Sequence, residues 1–111
     1  MRLRSDIWVA AYLRRCGVEG VAAVLRRRGA AEAGAILVII DRLDGTGALY
    51  GPAPQSEVDE VGRFFARMHK EEWIETAQAS ARIAREIGFD PDLWVVEVED
   101  RQGRNFLELA E

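Results

Sequence analysis

The sequence has few residues of the kinds that build disulfide frameworks, metal centres and membrane spans. Among its 111 residues there is one cysteine, Cys16, so no internal disulfide forms within the chain. There is also one histidine, His69, and a zinc site would need several more Cys or His ligands. The longest unbroken apolar stretch, Ile7 to Leu13, is seven residues, whereas a membrane helix needs about 20. We therefore expect no metal, no cofactor and no association with a membrane.

The composition is that of an ordinary globular domain. Hydrophobic residues make up 49% of the chain and charged residues 31%, which excludes intrinsically disordered and fibrous proteins. The length predicts a single domain over residues 1–111. The first residues lead into an apolar run that ends in paired arginines, with no small-residue cleavage site after it, so we predict no signal peptide. A lone cysteine without a signal peptide favours a reducing, cytoplasmic location.

Charge is distributed unevenly along the chain. The net charge is −4, but residues 1–55 hold eight arginines and five acidic residues, whereas residues 56–111 hold seven basic and fourteen acidic groups. An acidic chain is a poor general binder of nucleic acid, because such binding requires a concentrated positive face. We expect the two halves to neutralise each other within one molecule or across a homodimer.

The first half predicts one helix and three strands. Spacing of apolar residues over residues 6–16 indicates a helix with Ser5 as its N-cap, although an apolar run of this kind also suits a buried strand. Val21 to Arg28 alternates as a strand. Ala35 to Ile40 is apolar on both faces, which is typical of a central strand. Asp44-Gly45 is a hairpin signal, so three antiparallel strands are expected in sequence.

The second half predicts a helix over Thr76 to Ile87, with Thr76 as its cap, followed by a strand over Asp92 to Glu99. Residues 57–70 are ambiguous, since their apolar spacing suits a helix while Arg63 to Arg67 suits a strand. Phe106 to Leu109 is interpreted as a short edge strand. The predicted fold is a single α+β domain, an antiparallel sheet of four to five strands with two to three helices packed mainly on one face.

Two segments carry a resemblance to a known family. The run from Ile7 to Arg15 and the segment from Phe89 to Trp94 are similar to signatures of a family of small alphaproteobacterial proteins, the domain of unknown function 1491. Leu49 to Pro54 and the pair Glu72-Trp73 are similar to it as well. The resemblance implies a cytoplasmic bacterial protein with one domain, and it implies no activity or cofactor. It also favours the strand for Arg63 to Arg67.

Five arginines form the most prominent candidate binding group. If the first helix lies beside the first strand, they face one pocket and bind phosphate or carboxylate. The alternative is that they are solvated charges paired with nearby acidic residues, which is the commoner behaviour of surface arginines. These five residues are Arg14, Arg15, Arg26, Arg27 and Arg28.

Aromatic residues form a second candidate group, as the lining of a partner groove or as core. The four are Trp8, Tyr12, Trp73 and Trp94, of which Trp8 and Trp94 are expected to pack near each other. Asp90-Pro91-Asp92, with Glu97, Glu99 or Asp100, resembles a cation loop, but a turn is the simpler interpretation.

His69 and Cys16 complete the candidates for chemistry. His69 lies in a charged run typical of a solvated loop, and no nucleophile is marked by a motif. Cys16 follows two arginines, which lower the pKa of a thiol, but burial at a helix end is the more common situation for cysteine. No set of catalytic residues stands out, which favours a non-enzymatic role.

The first hypothesis for function is therefore a non-enzymatic protein–protein interaction or adaptor module, with a homodimer as one form. It depends on the opposed charge halves and on strand edges that can pair between chains. The second hypothesis is a small-ligand or phosphate-binding protein, with or without enzymatic activity, that uses the arginine group. A third is RNA binding by the same arginines with Trp8 or Tyr12 stacking on bases.

Overall fold

The computed structural model describes residues 3–54 and 62–110, and its helices and strands confirm the α+β class. In chain order the elements are α1 (Ser5–Val18), β1 (Ala22–Arg27), β2 (Ile36–Asp41), β3 (Thr46–Pro52), β4 (Phe65–Arg67), β5 (Ile74–Glu75), α2 (Thr76–Phe89) and β6 (Trp94–Glu99). Within residues 3–54 and 62–110, no helix is both long enough and apolar enough to cross a membrane.

The strands form one six-stranded sheet in the order β1-β6-β2-β3-β4, and β5 also pairs with β3. The strand β6 lies between β1 and β2, antiparallel to the former and parallel to the latter. The expectation of three consecutive antiparallel strands holds for the β2–β3 hairpin but not for β1, which pairs with β6 instead. The described strands number six, one more than the upper expectation, because β5 adds a two-residue strand.

The two helices cover opposite faces of the sheet. On one face, Val9, Tyr12 and Cys16 of α1 pack in a cluster with Ile36, Val38 and other alternate strand residues. On the other face, α2 packs through Ala79, Ile83 and Ile87 against the intervening residues Leu37, Ile39 and Leu49. This corrects the expectation that the helices pack mainly on one face. Since β2 is buried on both sides, each side needs its own helix.

Both helices begin differently from the sequence prediction. Ser5 is not an N-cap but the first residue of α1, where it is fully buried and its hydroxyl donates to the Gly34 carbonyl oxygen (2.6 Å). The N-cap of α2 is Glu75, one residue before the predicted Thr76. The backbone N–H of Thr76 donates to the Gly45 carbonyl oxygen (2.9 Å), so Thr76 ties the helix start to the β2–β3 turn.

The ambiguous segment forms a strand in its described part. Phe65–Arg67 is β4, and it pairs antiparallel with Tyr50–Pro52. The predicted strand from Arg63 to Arg67 is thus confirmed at its end, while residues 55–61 lie outside the described residues. The predicted edge strand over Phe106 to Leu109 reduces to a single parallel bridge between Phe65 and Leu109.

The turn after β6 makes stability depend on pH. Arg104 donates to Asp100 through Nε (3.0 Å), Nη2 (3.1 Å) and its backbone N–H (2.8 Å), and the side-chain hydrogen bond is the largest cause that lowers the pKa of Asp100 below its ordinary 3.8. A carboxylate whose pKa is lower in the folded state than in the unfolded state stabilises the fold. This stabilisation is complete above the unfolded-state pKa, and it is lost as the pH falls through the folded-state pKa.

We therefore expect Asp100→Asn to be less stable than the wild type at pH 6, with the difference shrinking as the pH falls below 3.8. Urea unfolding at pH 6 and pH 3, at one ionic strength, measures both values. A difference that is the same at the two pH values would contradict the prediction.

Candidate functional site

The outer edge of the sheet at β1 is open. The strand pairs only with β6 among the described strands, and four of its six residues are exposed. Two of these are large and apolar, Val24 at 52% exposure and Leu25 at 37%. An unpaired strand edge presents free backbone N–H and C=O groups, and it is a surface on which another strand can pair.

The opposite edge of the sheet is closed by the C-terminal segment. The backbone N–H of Phe65 donates to the Glu108 carbonyl oxygen (2.8 Å), and the N–H of Ala110 donates to the Phe65 carbonyl oxygen (2.9 Å). This segment lies beside the start of β4 and satisfies the outward backbone N–H and C=O of Phe65. Among the described strands, β1 is therefore the long edge strand, and none of the described strands pairs with its outer side.

A β-bulge limits the regular part of β1. The register against β6 shifts between Leu25 and Arg27, so Arg26 is the extra residue. A bulge bends the strand and increases its twist, and charged residues at an edge discourage further pairing. The regular, apolar part of the edge is Ala22–Leu25.

A groove of about 360 Å³ lies beside β1 on the α2 side of the sheet. Because α2 packs mainly on β2, β3 and β5, it leaves this side of β6 and β1 uncovered. One wall is α2 and the floor is the sheet, and the lining combines apolar, hydroxyl and charged groups. The lining residues are Arg26, Arg27, Ile39, Asp41, Thr76, Ser80, Ile83, Ile87, Val95 and Glu97.

Two carboxylates of this groove, those of Asp41 and Glu97, lie close to a third, that of Glu99. Oxygens of Asp41, Glu97 and Glu99 lie within 4.8 Å of one another, as the parallel pairing of Asp41 with Glu99 requires. Three carboxylates at this spacing are of the kind that holds a hard divalent cation, but Glu97 already forms an ion pair with Arg26 (2.6 Å). No signal in the sequence marks Asp41, because only the insertion of β6 beside β2 brings it to Glu97 and Glu99.

The five candidate arginines are divided among separate places. Arg26 and Arg27 line the groove, and Arg27 Nη2 donates to the Pro91 carbonyl oxygen (2.8 Å). On the α1 side, Arg15 pairs with Glu19 (3.3 Å) and Arg28 lies over the Trp94 ring (5.2 Å). Arg14 is exposed on α1. The structure therefore brings two of the five into one site.

The four candidate aromatic residues all belong to the core cluster on the α1 side of the sheet, or pack against it. Trp8 stacks on Tyr12 with ring centroids 4.9 Å apart, and the Tyr12 hydroxyl donates to the Asn105 carbonyl oxygen (2.6 Å). Trp73 packs against the same core cluster and lies beneath the Arg42 guanidinium (3.8 Å). Trp94 is fully buried, in the same core cluster as Trp8.

His69 and Cys16 have structural surroundings. Nε2 of His69 accepts from the Leu49 backbone N–H (3.0 Å), and Nδ1 lies 2.8 Å from the Glu71 carbonyl oxygen, so the backbone occupies both ring nitrogens. Burial raises the pKa of the Cys16 thiol, and the nearby Arg15 lowers it less. Asp90 forms the predicted turn, since its carboxylate accepts from the Asp92 backbone N–H (3.0 Å).

Comparison with known proteins places this fold in a family. The model of the family described as "Protein of unknown function (DUF1491)" matches residues 3–108. A crystal structure of a DUF1491 family protein from Caulobacter crescentus is 38% identical over the whole of both chains, with a TM-score of 0.82. The solution structure of protein Atu0922 from A. tumefaciens is 39% identical, with a TM-score of 0.83, over all of this chain and 97% of the other. No curated protein matches. The chain belongs to the DUF1491 family, whose function is unknown.

Proposed function

We propose that the protein is a non-enzymatic interaction module that binds an extended strand of a partner on the open edge of β1. The observation that supports this proposal is the unpaired outer edge of β1, which carries two exposed, large apolar side chains, Val24 and Leu25. In strand addition, backbone hydrogen bonds give affinity and alternate side chains give specificity. Val24 lies on the α2 side of the sheet, beside the groove, and Leu25 on the α1 side.

The arginine geometry favours this function over phosphate or RNA binding. A phosphate site would gather several arginines around one anion, but three of the five candidates lie outside the groove. The two in the groove share it with the carboxylates of Asp41 and Glu97, which repel a phosphate. RNA binding has less support, because Arg15 is the one candidate arginine that lines a pocket with Trp8 and Tyr12 on the α1 side, whereas Arg26 and Arg27 lie in the groove on the other face.

We place this module in the bacterial cytoplasm. The free thiol of Cys16, buried in the core, suits a reducing compartment. Relatives from Caulobacter and Agrobacterium make a bacterial protein the natural assignment.

The test compares capture of proteins from native bacterial lysate by the wild type, Val24→Lys and the matched control Ala81→Lys. Lysine on an edge strand blocks pairing with a further strand. A lysine at position 24 would lie opposite Glu97 in its own sheet. The control position, Ala81, is exposed on α2. We expect the wild type and A81K to retain the same partner and V24K to lose at least about 90% of it, a tenfold loss of affinity.

Amide hydrogen exchange on the captured complex locates the contact. Exchange of those backbone amides of Ala22–Leu25 that point away from β6 should slow when the partner is bound, because the partner's strand satisfies them. Undiminished capture by V24K, protection confined to another surface, or a wild type that associates with neither a partner nor itself would each overturn the proposal.

A further inference from the structure

We propose that the strand accepted by β1 is β1 of a second copy, paired antiparallel about a two-fold axis at Val24. This inference rests on the proposed function, in which β1 is the docking edge. Parallel pairing of two copies would set the arginines of both β1 strands side by side, and like charges directly opposite destabilise a sheet. Antiparallel pairing places these arginines at opposite ends of the interface.

The alternation of faces restricts the possible registers to those in which residues of the same face lie opposite each other. Residues opposite each other on antiparallel strands share a face, so a register with Val24 opposite Val24 of the second copy also sets Ala23 opposite Leu25. The next pair is Ala22 opposite Arg26. The centre of the contact is then apolar, and it uses the regular part of the edge before the bulge.

Charge complementarity supports this register. Within one chain Ala22 is paired with Glu99, so Arg26 of the second copy lies two strands from Glu99, about 10 Å between Cα atoms. An arginine and a glutamate together span this distance, and the small Ala22 side chain between them leaves the path clear. Glu99 has no ion pair among the described residues. Arg26, whose side chain is 61% exposed, would exchange Glu97 of its own chain for Glu99 of the second copy.

The dimer would also join the two grooves. A two-fold axis normal to the sheet keeps both α2 helices on one side and both α1 helices on the other. The uncovered surfaces of β1 and β6 from the two copies become the floor of one trough, with an α2 helix as each wall. The groove beside β1, which has α2 along one side in the single chain, gains its second helical wall from the second copy.

Disulfide trapping tests the axis. Val24→Cys places two thiols opposite each other, where cross-strand Cβ atoms are about 5 Å apart, while Ala81→Cys is an exposed control on α2 and Cys16 is buried. Under mild oxidation we expect V24C to form a linked dimer at least tenfold faster than A81C. Equal rates for the two variants would overturn the proposed register.

A charge exchange tests the Arg26–Glu99 contact by sedimentation equilibrium. Arg26→Glu and Glu99→Arg each create two like-charge contacts in their own dimers, so each should associate at least tenfold more weakly than the wild type. Mixed together, the two variants restore opposite charges at both contacts, and heterodimers should form. Rescue by mixing excludes an effect within one chain, whereas a mixture no stronger than its separate components contradicts the contact.

The outcomes separate this inference from the proposed function. A wild type that stays monomeric at millimolar concentration, but captures another protein in a V24K-sensitive way, overturns the homodimer and supports the docking edge. A wild type with neither self-association nor V24K-sensitive capture overturns both.

Discussion

Trp94→Ala is expected to lower the free energy of unfolding by about 3–5 kcal/mol, the usual cost of deleting a buried aromatic side chain. The Trp94 side chain is 1% exposed and lies in the cluster that joins α1 to the sheet. Its indole N–H also donates to the Ala30 carbonyl oxygen (2.7 Å). The change therefore removes core volume from the inserted strand β6 and a hydrogen bond to the segment between β1 and β2.

Trp94→Phe separates these contributions, because it keeps an aromatic ring and loses the N–H donor. We expect it to cost less than the alanine variant, by about 1–3 kcal/mol. Urea unfolding followed by far-ultraviolet circular dichroism measures both, since that signal does not depend on Trp94 fluorescence. An alanine variant within about 1 kcal/mol of the wild type would be inconsistent with the packing described above, given the range for buried aromatics.

Gly29→Ala is the second change with a large expected effect, a loss of about 3 kcal/mol from overpacking. An added Cβ would meet the Asp92 carbonyl oxygen and lie 2.7 Å from both the Leu93 carbonyl carbon and Trp94 Cδ1. Two of these atoms are backbone, so a side-chain rotation cannot relieve the clash. The same carbonyl of Asp92 accepts from the Ala30 N–H (3.0 Å), and that hydrogen bond would be strained as well.

Gly17→Ala is the matched control for this effect. Gly17 lies within α1, and an added Cβ would have no atom within 4 Å. Alanine is the better helix former, so we expect a gain of up to about 1 kcal/mol. Opposite signs for the two substitutions in the same denaturation assay would confirm the close approach at Gly29, while a neutral Gly29→Ala would contradict it.

The sequence predicted the elements whose signals are local. Ala35 to Ile40 is apolar on both faces, and it became the buried strand β2 in the middle of the sheet. Asp44 and Gly45 marked the hairpin correctly, and Gly45 has a φ of 89°, a conformation that suits glycine. The resemblance to the family added the strand at β4, which the spacing of apolar residues alone left undecided.

What the sequence did not predict depends on contacts between distant segments. Nothing local to β1 indicates that its neighbour is β6, more than sixty residues later. The placement of Asp41 beside Glu97 and Glu99 depends on the same insertion. Adjacent residues of a regular strand point to alternate faces, and only the bulge at Arg26, which the sequence did not predict, lets Arg26 and Arg27 line the same groove.

The place of β6 in the sheet bears on how the chain is made. During translation β1 and β2 emerge from the ribosome before β6 is synthesised. Both strands are then without β6, the strand that lies between them in the folded sheet. Pairings between segments distant in sequence form slowly, and strand edges that wait for a partner are prone to aggregation. During synthesis we therefore expect the nascent chain to depend on chaperones until Trp94–Glu99 has been translated.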